Sequence, residues 1–189
     1  LLNKGSGSNV NCNNIMKGAG LMDSIKVRNL GFSASARALG DRQIDVYCSA
    51  GAPFLIPAIT QLSISKPVRY VGMSDAEQAA VVKANPFYSP VTIPVQKDVR
   101  GMKEPAKSIG YDVYWLAHKS MSAAAIEAML EVAAKPANLK KLAATAGYWR
   151  TLNGDFSNLK TVKIPVHPAA AKYWKTRGFK MPEGLVKGY

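Results

Sequence analysis

The feature that most constrains the fold is the alternation of short apolar runs with longer amphipathic stretches along the 189 residues. This alternation is typical of an α/β protein assembled from strand–helix units. The apolar runs predict strands at residues 25–30, 44–48, 68–71 and 111–117, a strand end at 1–3 and a short extended piece at 91–93.

Capping residues and helix terminators mark the helices between these runs. The clearest start is Ser74-Asp75-Ala76-Glu77, a capping box in which Ser74 and Glu77 satisfy each other's backbone donors, and this helix should end before Asn85-Pro86. Ser33 or Ser35 is expected to cap an earlier helix and Ser122 a later one. The helices are predicted near residues 9–18, 36–39, 57–62, 75–84, 123–135, 138–147 and 168–177.

The chain carries 25 Lys and Arg against 12 Asp and Glu, a net charge of +13. This excess favours anionic partners, whether small acids, nucleic acid or a membrane surface, and the charge does not choose among them. Basic residues are spread out instead of forming an arm, which is also what a solvated basic surface would look like. The charge-free window 46–65 contains prolines and polar residues, so we interpret it as a strand, a loop and a helix and not as a membrane span.

Cys12 and Cys48 stand far apart, without a CxxC motif, so neither a zinc site nor a thioredoxin-type redox pair is expected. We interpret them as two buried free thiols, with one disulfide as the alternative in an oxidising compartment.

The turn Gly5-Ser6-Gly7-Ser8 opens a helix and is the most informative short segment. Glycines let backbone amides point at a ligand, and a helix start offers its positive end to an anion. The turn matches neither the P-loop nor the GxGxxG pattern, and an ordinary loop is the alternative. The asparagines that follow, at positions 9, 11, 13 and 14, are weak helix formers, so either their amides face a polar group or the helix start is frayed and solvated.

Little in the sequence indicates catalysis. His118 and His167 lie outside any metal-ligand spacing, and we expect both to be structural or surface residues. There is no GxSxG motif and no carboxylate pair at catalytic spacing, so we expect no enzyme, no cofactor and no metal.

Taken in order, several segments together resemble the solute-binding proteins of TRAP transporters, specifically the TAXI family. They span most of the chain and are Gly5-Ser6-Gly7-Ser8, Leu30-Gly31-Phe32-Ser33 before Ala38-Leu39, Gln43-Ile44-Asp45, Ala50-Gly51-Ala52-Pro53, Pro57-Ala58-Ile59, Asn85-Pro86-Phe87-Tyr88, Thr92-Ile93-Pro94, Ile164-Pro165-Val166-His167-Pro168 and Ala171-Lys172-Tyr173-Trp174.

The resemblance implies a periplasmic-binding-protein-like (type II), two-lobed α/β fold that closes on a small organic acid or acidic amino acid of the glutamate or 2-oxoglutarate class. The receptor would bind this anion in the periplasm and deliver it to TRAP membrane subunits. Residues 1–95 would form the second lobe, and residues 96–189 a crossing segment, a strand and C-terminal helices that return toward the first lobe. That first lobe and a signal peptide would precede Leu1, which looks like a cut edge.

The same resemblance implies the site residues. Ligand contacts are expected at Ser6, Gly7, Ser8, Asn9, Ala50, Gly51, Ala52 and Pro53, with Tyr88 and Thr92 near the hinge. Lys4 stands beside the turn where family members commonly have glycine and proline. His167 is expected to serve packing and turn geometry.

A basic protein that binds nucleic acid or another polyanion is the alternative function. Such binding would weaken steeply with salt because it releases counterions, whereas a small-acid receptor would show a defined stoichiometry. An enzyme that kept the receptor fold is a third hypothesis, and no set of residues in the sequence supports it. We expect a small anionic solute and no nucleic acid as partner.

Overall fold

The computed structural model describes residues 1–51, 56–182 and 184–186. The chain forms two compact units, Leu1–Tyr111 and Asp112–Tyr189. The predicted lobe assignment, 1–95 and 96–189, stays a prediction.

The first unit contains four α-helices and a two-stranded sheet within the described residues. In chain order they are α1 (Gly7–Gly18), α2 (Phe32–Gly40), α3 (Pro57–Ser65), α4 (Asp75–Ala84), β1 (Ser89–Ile93) and β2 (Ala106–Gly110). The strands are antiparallel, with Val91 opposite Ser108 and Thr92 opposite Lys107. A short 3₁₀ turn, Met22–Ser24, follows α1.

A buried apolar cluster joins the middle of this unit. Ile59 of α3 and Ala36 of α2 pack with Val99, Met102 and Ala106. On the other side, α1 packs tightly on α4: a Cβ added at Gly18 would lie 2.5 Å from Cγ2 of Val81. Only glycine permits this close approach without a shift of one helix.

The second unit contains four α-helices within the described residues. They are α5 (Ala123–Ala134), α6 (Pro136–Thr145), α7 (Leu159–Val162) and α8 (Pro168–Lys175), with a 3₁₀ segment at Gly147–Thr151. Ile126 and Leu130 of α5 pack against Tyr173 and Trp174 of α8. The Tyr173 hydroxyl donates to the Leu130 carbonyl at 3.2 Å, so the cluster also satisfies its buried polar group.

Helix starts agree well with the capping signals. Both hydrogen bonds of the Ser74–Glu77 capping box are present, and α4 ends at Ala84, before Asn85. Ser122 caps α5 by accepting from the Ala125 amide. The prediction for α2 is wrong in one detail: Gly31 is its N-cap and no side chain caps it. Ser35 is buried inside α2 and donates to the Leu30 carbonyl instead.

The four longer strand predictions are wrong, as is the strand end at residues 1–3. None of these segments forms a strand, and Val46, Val71 and Leu116 are 58%, 71% and 67% exposed. An apolar run becomes a strand only where a neighbouring backbone completes the ladder of hydrogen bonds. At 68–71 one isolated bond forms, from the Val68 amide to the Arg100 carbonyl. The extended piece at 91–93 is confirmed as part of β1, because β2 pairs with it.

The overall class is α/β in content, with helices and a small sheet. None of the helices in the described ranges combines the length and apolarity that crossing a membrane takes.

Candidate functional site

The glycine–serine turn opens α1 as predicted, but the helix begins at Gly7, two residues before the predicted start at Asn9. Ser6 is the N-cap, with φ −75° and ψ 151°, and its side chain accepts from the Asn9 amide at 3.2 Å. Gly5 adopts φ +81°, a left-handed conformation that suits glycine in the preceding turn. The Ser6 amide donates to the Asn3 carbonyl. In the part of the chain that the structure describes, the amides of Gly7 and Ser8 carry no such bond, so they are the donors that a ligand could use.

The electrostatics of this helix start favour an anion. The first turn of α1 contains no acidic residue, whereas the first turn of α4 contains Asp75 and Glu77. The partial positive charge of a helix N-terminus is offset by acidic side chains where they are present. At α1 no side chain of its own offsets it. Gly7 is exposed and leaves the amides accessible.

Asn9 anchors the start of α1 to the preceding chain. It is 9% exposed, and its Nδ2 donates to the Leu2 carbonyl at 3.0 Å and to Oδ1 of Asn29 at 2.9 Å. Asn13 donates back to the Asn9 carbonyl at 2.8 Å. Both Nδ2 protons of Asn9 are therefore used within the protein. Its role as a ligand contact stays a prediction, while its contacts here position the helix.

Asn11 and Asn14 bind a tyrosine from the other end of the unit. The hydroxyl of Tyr88 donates to Oδ1 of Asn11 at 2.5 Å and accepts from Nδ2 of Asn14 at 3.1 Å. The interpretation of a frayed, solvated helix start is therefore wrong. The amides do face polar groups, and those groups belong to the protein itself.

Tyr88 and Thr92, predicted near the hinge, lie in different surroundings. Tyr88 is 3% exposed, and its ring lies 4.3 Å from that of Phe87 and 6.2 Å from that of Tyr111. Burial raises the pKa of the Tyr88 hydroxyl above its usual value, an effect opposed by the hydrogen bond from Asn14. Thr92 lies on β1 with its side chain exposed. A hinge role for either residue stays a prediction.

The second segment of predicted ligand contacts, which begins at Ala50, is joined to α1 by a covalent bond. Cys12 and Cys48 form a disulfide with their Cα atoms 6.0 Å apart, so the interpretation as free thiols is wrong. Cys12 is 1% exposed. Ala50 and Gly51 follow Cys48 by two and three residues. Ala52 and Pro53 lie outside the described residues.

The disulfide thus links the two segments in which ligand contacts were predicted, which the sequence alone did not indicate. Nothing in the spacing of two cysteines 36 residues apart distinguishes a disulfide from two thiols. The anchoring role of Tyr88 was also missed. An aromatic residue in an Asn-Pro-Phe-Tyr turn gives no sequence signal for a contact 77 residues away.

The two histidines have structural roles, as expected. The ring of His167 caps α8 by accepting from the Ala169 amide, and its second nitrogen lies 3.2 Å from the Met121 carbonyl. His118 is exposed, with Nδ1 2.7 Å from the Ser120 hydroxyl. A cavity of about 340 Å³ lies beside them in the second unit, lined in part by Lys119, Ser120 and His167. The predictions did not include this cavity.

Within the described residues, no three His, Cys, Asp or Glu side chains group as metal ligands.

A model of the NMT1-like family matches residues 3–178. This is a periplasmic-binding-protein-like family of binding proteins, and it indicates an extracytoplasmic solute-binding role. No curated protein matches the chain.

Proposed function

The chain belongs to the NMT1-like family, and on this premise we propose that it is an extracytoplasmic receptor for a small organic acid or acidic amino acid. The ligand class is that of glutamate and 2-oxoglutarate. A carboxylate of the ligand would accept hydrogen bonds from the amides of Gly7 and Ser8 and from the Ser8 hydroxyl. Ala50 and Gly51 would contribute backbone contacts.

The observation that carries this proposal is the N-terminus of α1. The amides of Gly7 and Ser8 have no backbone partner among the described residues, the first turn of α1 holds no acidic side chain, and Lys4 stands three residues before Gly7. A carboxylate gains from helix N-terminal amides and from a nearby ammonium group, because charge-assisted hydrogen bonds are stronger than neutral ones. Ser6 is not expected to donate its backbone amide, since that amide already binds Asn3.

Two further properties support the proposal. The net charge of +13 raises the local concentration of any small anion near the surface. The Cys12–Cys48 disulfide fits an oxidising compartment such as the periplasm, where such bonds persist.

The finer part of the proposal concerns the transporter. We propose that the receptor is of the TAXI type and delivers its ligand to TRAP membrane subunits. In this proposal residues 1–95 form the second lobe, and residues 96–189 form the crossing segment and the returning C-terminal part. The support is the order of motifs that resembles the TAXI family, from the glycine–serine turn to Ile164-Pro165-Val166-His167-Pro168.

Isothermal titration calorimetry with 2-oxoglutarate, L-glutamate and succinate, at low and high sodium chloride, tests the ligand class. We expect saturable binding of one of the three at one site per chain, with an affinity that changes little with salt. Binding of none of them, together with tight binding of a DNA duplex that is lost at high salt, would instead favour the polyanion-binding function.

A pair of tryptophan variants tests the location of the site. Ser8→Trp should abolish binding, because the indole would cover the amides at the start of α1. Ser65→Trp, at an exposed serine that ends α3, is the matched control and should bind like the unmodified chain. Normal binding by a folded Ser8→Trp protein would exclude the glycine–serine turn from the site.

A further inference from the structure

We infer that the Cys12–Cys48 disulfide is a positioning element of the binding site, which holds the segment carrying Ala50 and Gly51 at a set distance from α1. The inference rests on the proposed function for the role of these two segments. Its structural part, that this bond holds the segment toward α1, is testable without any ligand.

The two cysteines of the disulfide lie close in sequence to the two predicted contact segments. Cys12 lies in the middle of α1, five residues after Gly7, and is 1% exposed. Cys48 lies two residues before Ala50, and its Cα is 6.0 Å from that of Cys12. One covalent bond therefore spans the two predicted contact segments, each within a few residues of its attachment point.

Residues 44–51 also contact other parts of the first unit. The Ile44 amide donates to the Ala38 carbonyl at 3.4 Å, at the beginning of the segment. Tyr47 packs against the buried cluster around Ile59. Across the described ranges, no strand ladder includes this segment, so its backbone has no regular pairing. Tyr47 attaches it to the core and Cys48 attaches it to α1.

Helix α1 is itself held in place by side-chain hydrogen bonds. Asn9 binds the Leu2 carbonyl and Asn29, and Asn11 and Asn14 bind Tyr88. A bond between an anchored helix and an unpaired segment restrains the segment more than the helix. Loss of the disulfide should therefore move Ala50 and Gly51 and leave the N-terminus of α1 in place.

Backbone ¹⁵N relaxation measured by NMR tests the structural part. In the double variant Cys12→Ala/Cys48→Ala, the order parameters of the amides of residues 45–51 should fall from about 0.85 to below about 0.6, while those of α4 stay unchanged. Ser63→Ala is the matched control. It removes a buried hydroxyl that bonds Thr60 and the Arg100 amide, and it touches neither cysteine. It should leave the order parameters of residues 45–51 unchanged.

The same comparison is made with the native chain before and after treatment with a dithiol, which covers a double variant that fails to fold. The exchange breaks the S–S bond, forms two cysteine thiols and closes the reagent into its own disulfide, so two electrons and two protons are transferred. Unchanged order parameters at 45–51 in both forms, or an equal fall throughout the first unit, would overturn the inference.

The role in binding is tested by titrating 2-oxoglutarate into the native and the disulfide-free protein. We expect its dissociation constant to rise about tenfold, because an unrestrained segment must be ordered on binding. An unchanged constant despite lower order parameters would show that the bond does not serve the site. If the native chain binds none of the three acids, the proposed function fails, while the order parameters still decide whether the disulfide restrains the segment.

Discussion

The hydroxyl of Tyr88 donates a hydrogen bond of 2.5 Å to Oδ1 of Asn11, across 77 residues of sequence. This bond joins the turn before β1 to the helix that carries the predicted anion site. It explains why a helix tolerates several asparagines near its start. The stability that asparagine costs within the helix is offset by bonds that only an amide side chain makes here.

Replacing Tyr88 by phenylalanine should therefore destabilise the first unit. The change leaves the amides of Asn11 and Asn14 without their partner, and a lost buried hydrogen bond costs about 1–3 kcal/mol of unfolding free energy. Urea denaturation followed by circular dichroism measures this. Tyr148→Phe, at an exposed tyrosine, should leave the midpoint unchanged. Equal midpoints for the two variants would contradict an anchoring role for Tyr88.

Gly18→Ala should destabilise the protein although alanine is the better helix former. The new Cβ would lie 2.5 Å from Cγ2 and 2.9 Å from Cα of Val81, so α1 and α4 would have to separate. We expect a net loss of about 1–3 kcal/mol in the free energy of unfolding, as for other overpacked sites. The control is Gly7→Ala, whose Cβ would meet no atom within 4 Å. A Gly18→Ala protein as stable as this control would disprove close packing at that point.

The start of α4 should depend on acid pH through Glu77. Hydrogen bonds from the Ser74 hydroxyl, and then from its amide, lower the pKa of Glu77 below its usual 4.5. A lowered pKa stabilises the folded form above about pH 4.5, and this contribution is lost as the pH falls through the folded pKa. The protection of the α4 amides, which is their exchange rate compared with the intrinsic rate at the same pH, should thus decrease below about pH 4.5.

Glu77→Gln provides the matched control for this titration. Glutamine retains a capping side chain but has no proton to take up, so the acid-dependent part of the exchange in α4 should disappear. The same pH profile in Glu77→Gln as in the native chain would assign the effect to another group.

Removal of the disulfide should also lower the global stability of the first unit. Its cysteines are 36 residues apart, and closing a loop of that length in the unfolded chain corresponds to roughly 3–4 kcal/mol. Urea unfolding with and without a dithiol reports the difference. The reagent should have no effect on Cys12→Ala/Cys48→Ala, so a midpoint shift in that variant would show an effect unrelated to the bond.

The helices were largely predictable because their signals are local. Ser74 with Glu77, Ser122 with the alanines that follow, and Pro168 after His167 place each helix start within a residue of where the structure has it. A cap satisfies donors three residues away, so the information lies within one turn of sequence. The predicted start of α6 was late by two residues, because Pro136 occupies the first turn.

The strands were not predictable in the same way. Residues 44–48 and 111–117 have the apolar character of buried strands, yet they pair with nothing in the described structure, and Val113 is 61% exposed. Of the predicted strands within the described residues, only residues 91–93 have a strand partner, which is β2. A ladder requires a second backbone at the right distance and register, and the segment's own residues do not encode where that backbone lies.

The candidate site divides along the same physical line. The sequence by itself determined the glycine–serine turn and the helix that follows it, because each depends on neighbours within four residues. Only the tertiary structure decided that Asn9 and Asn11 bind the protein, and that Cys12 reaches Cys48. Those contacts join residues 7 to 77 positions apart, and what brings them together is the packing of α1 against the rest of its unit.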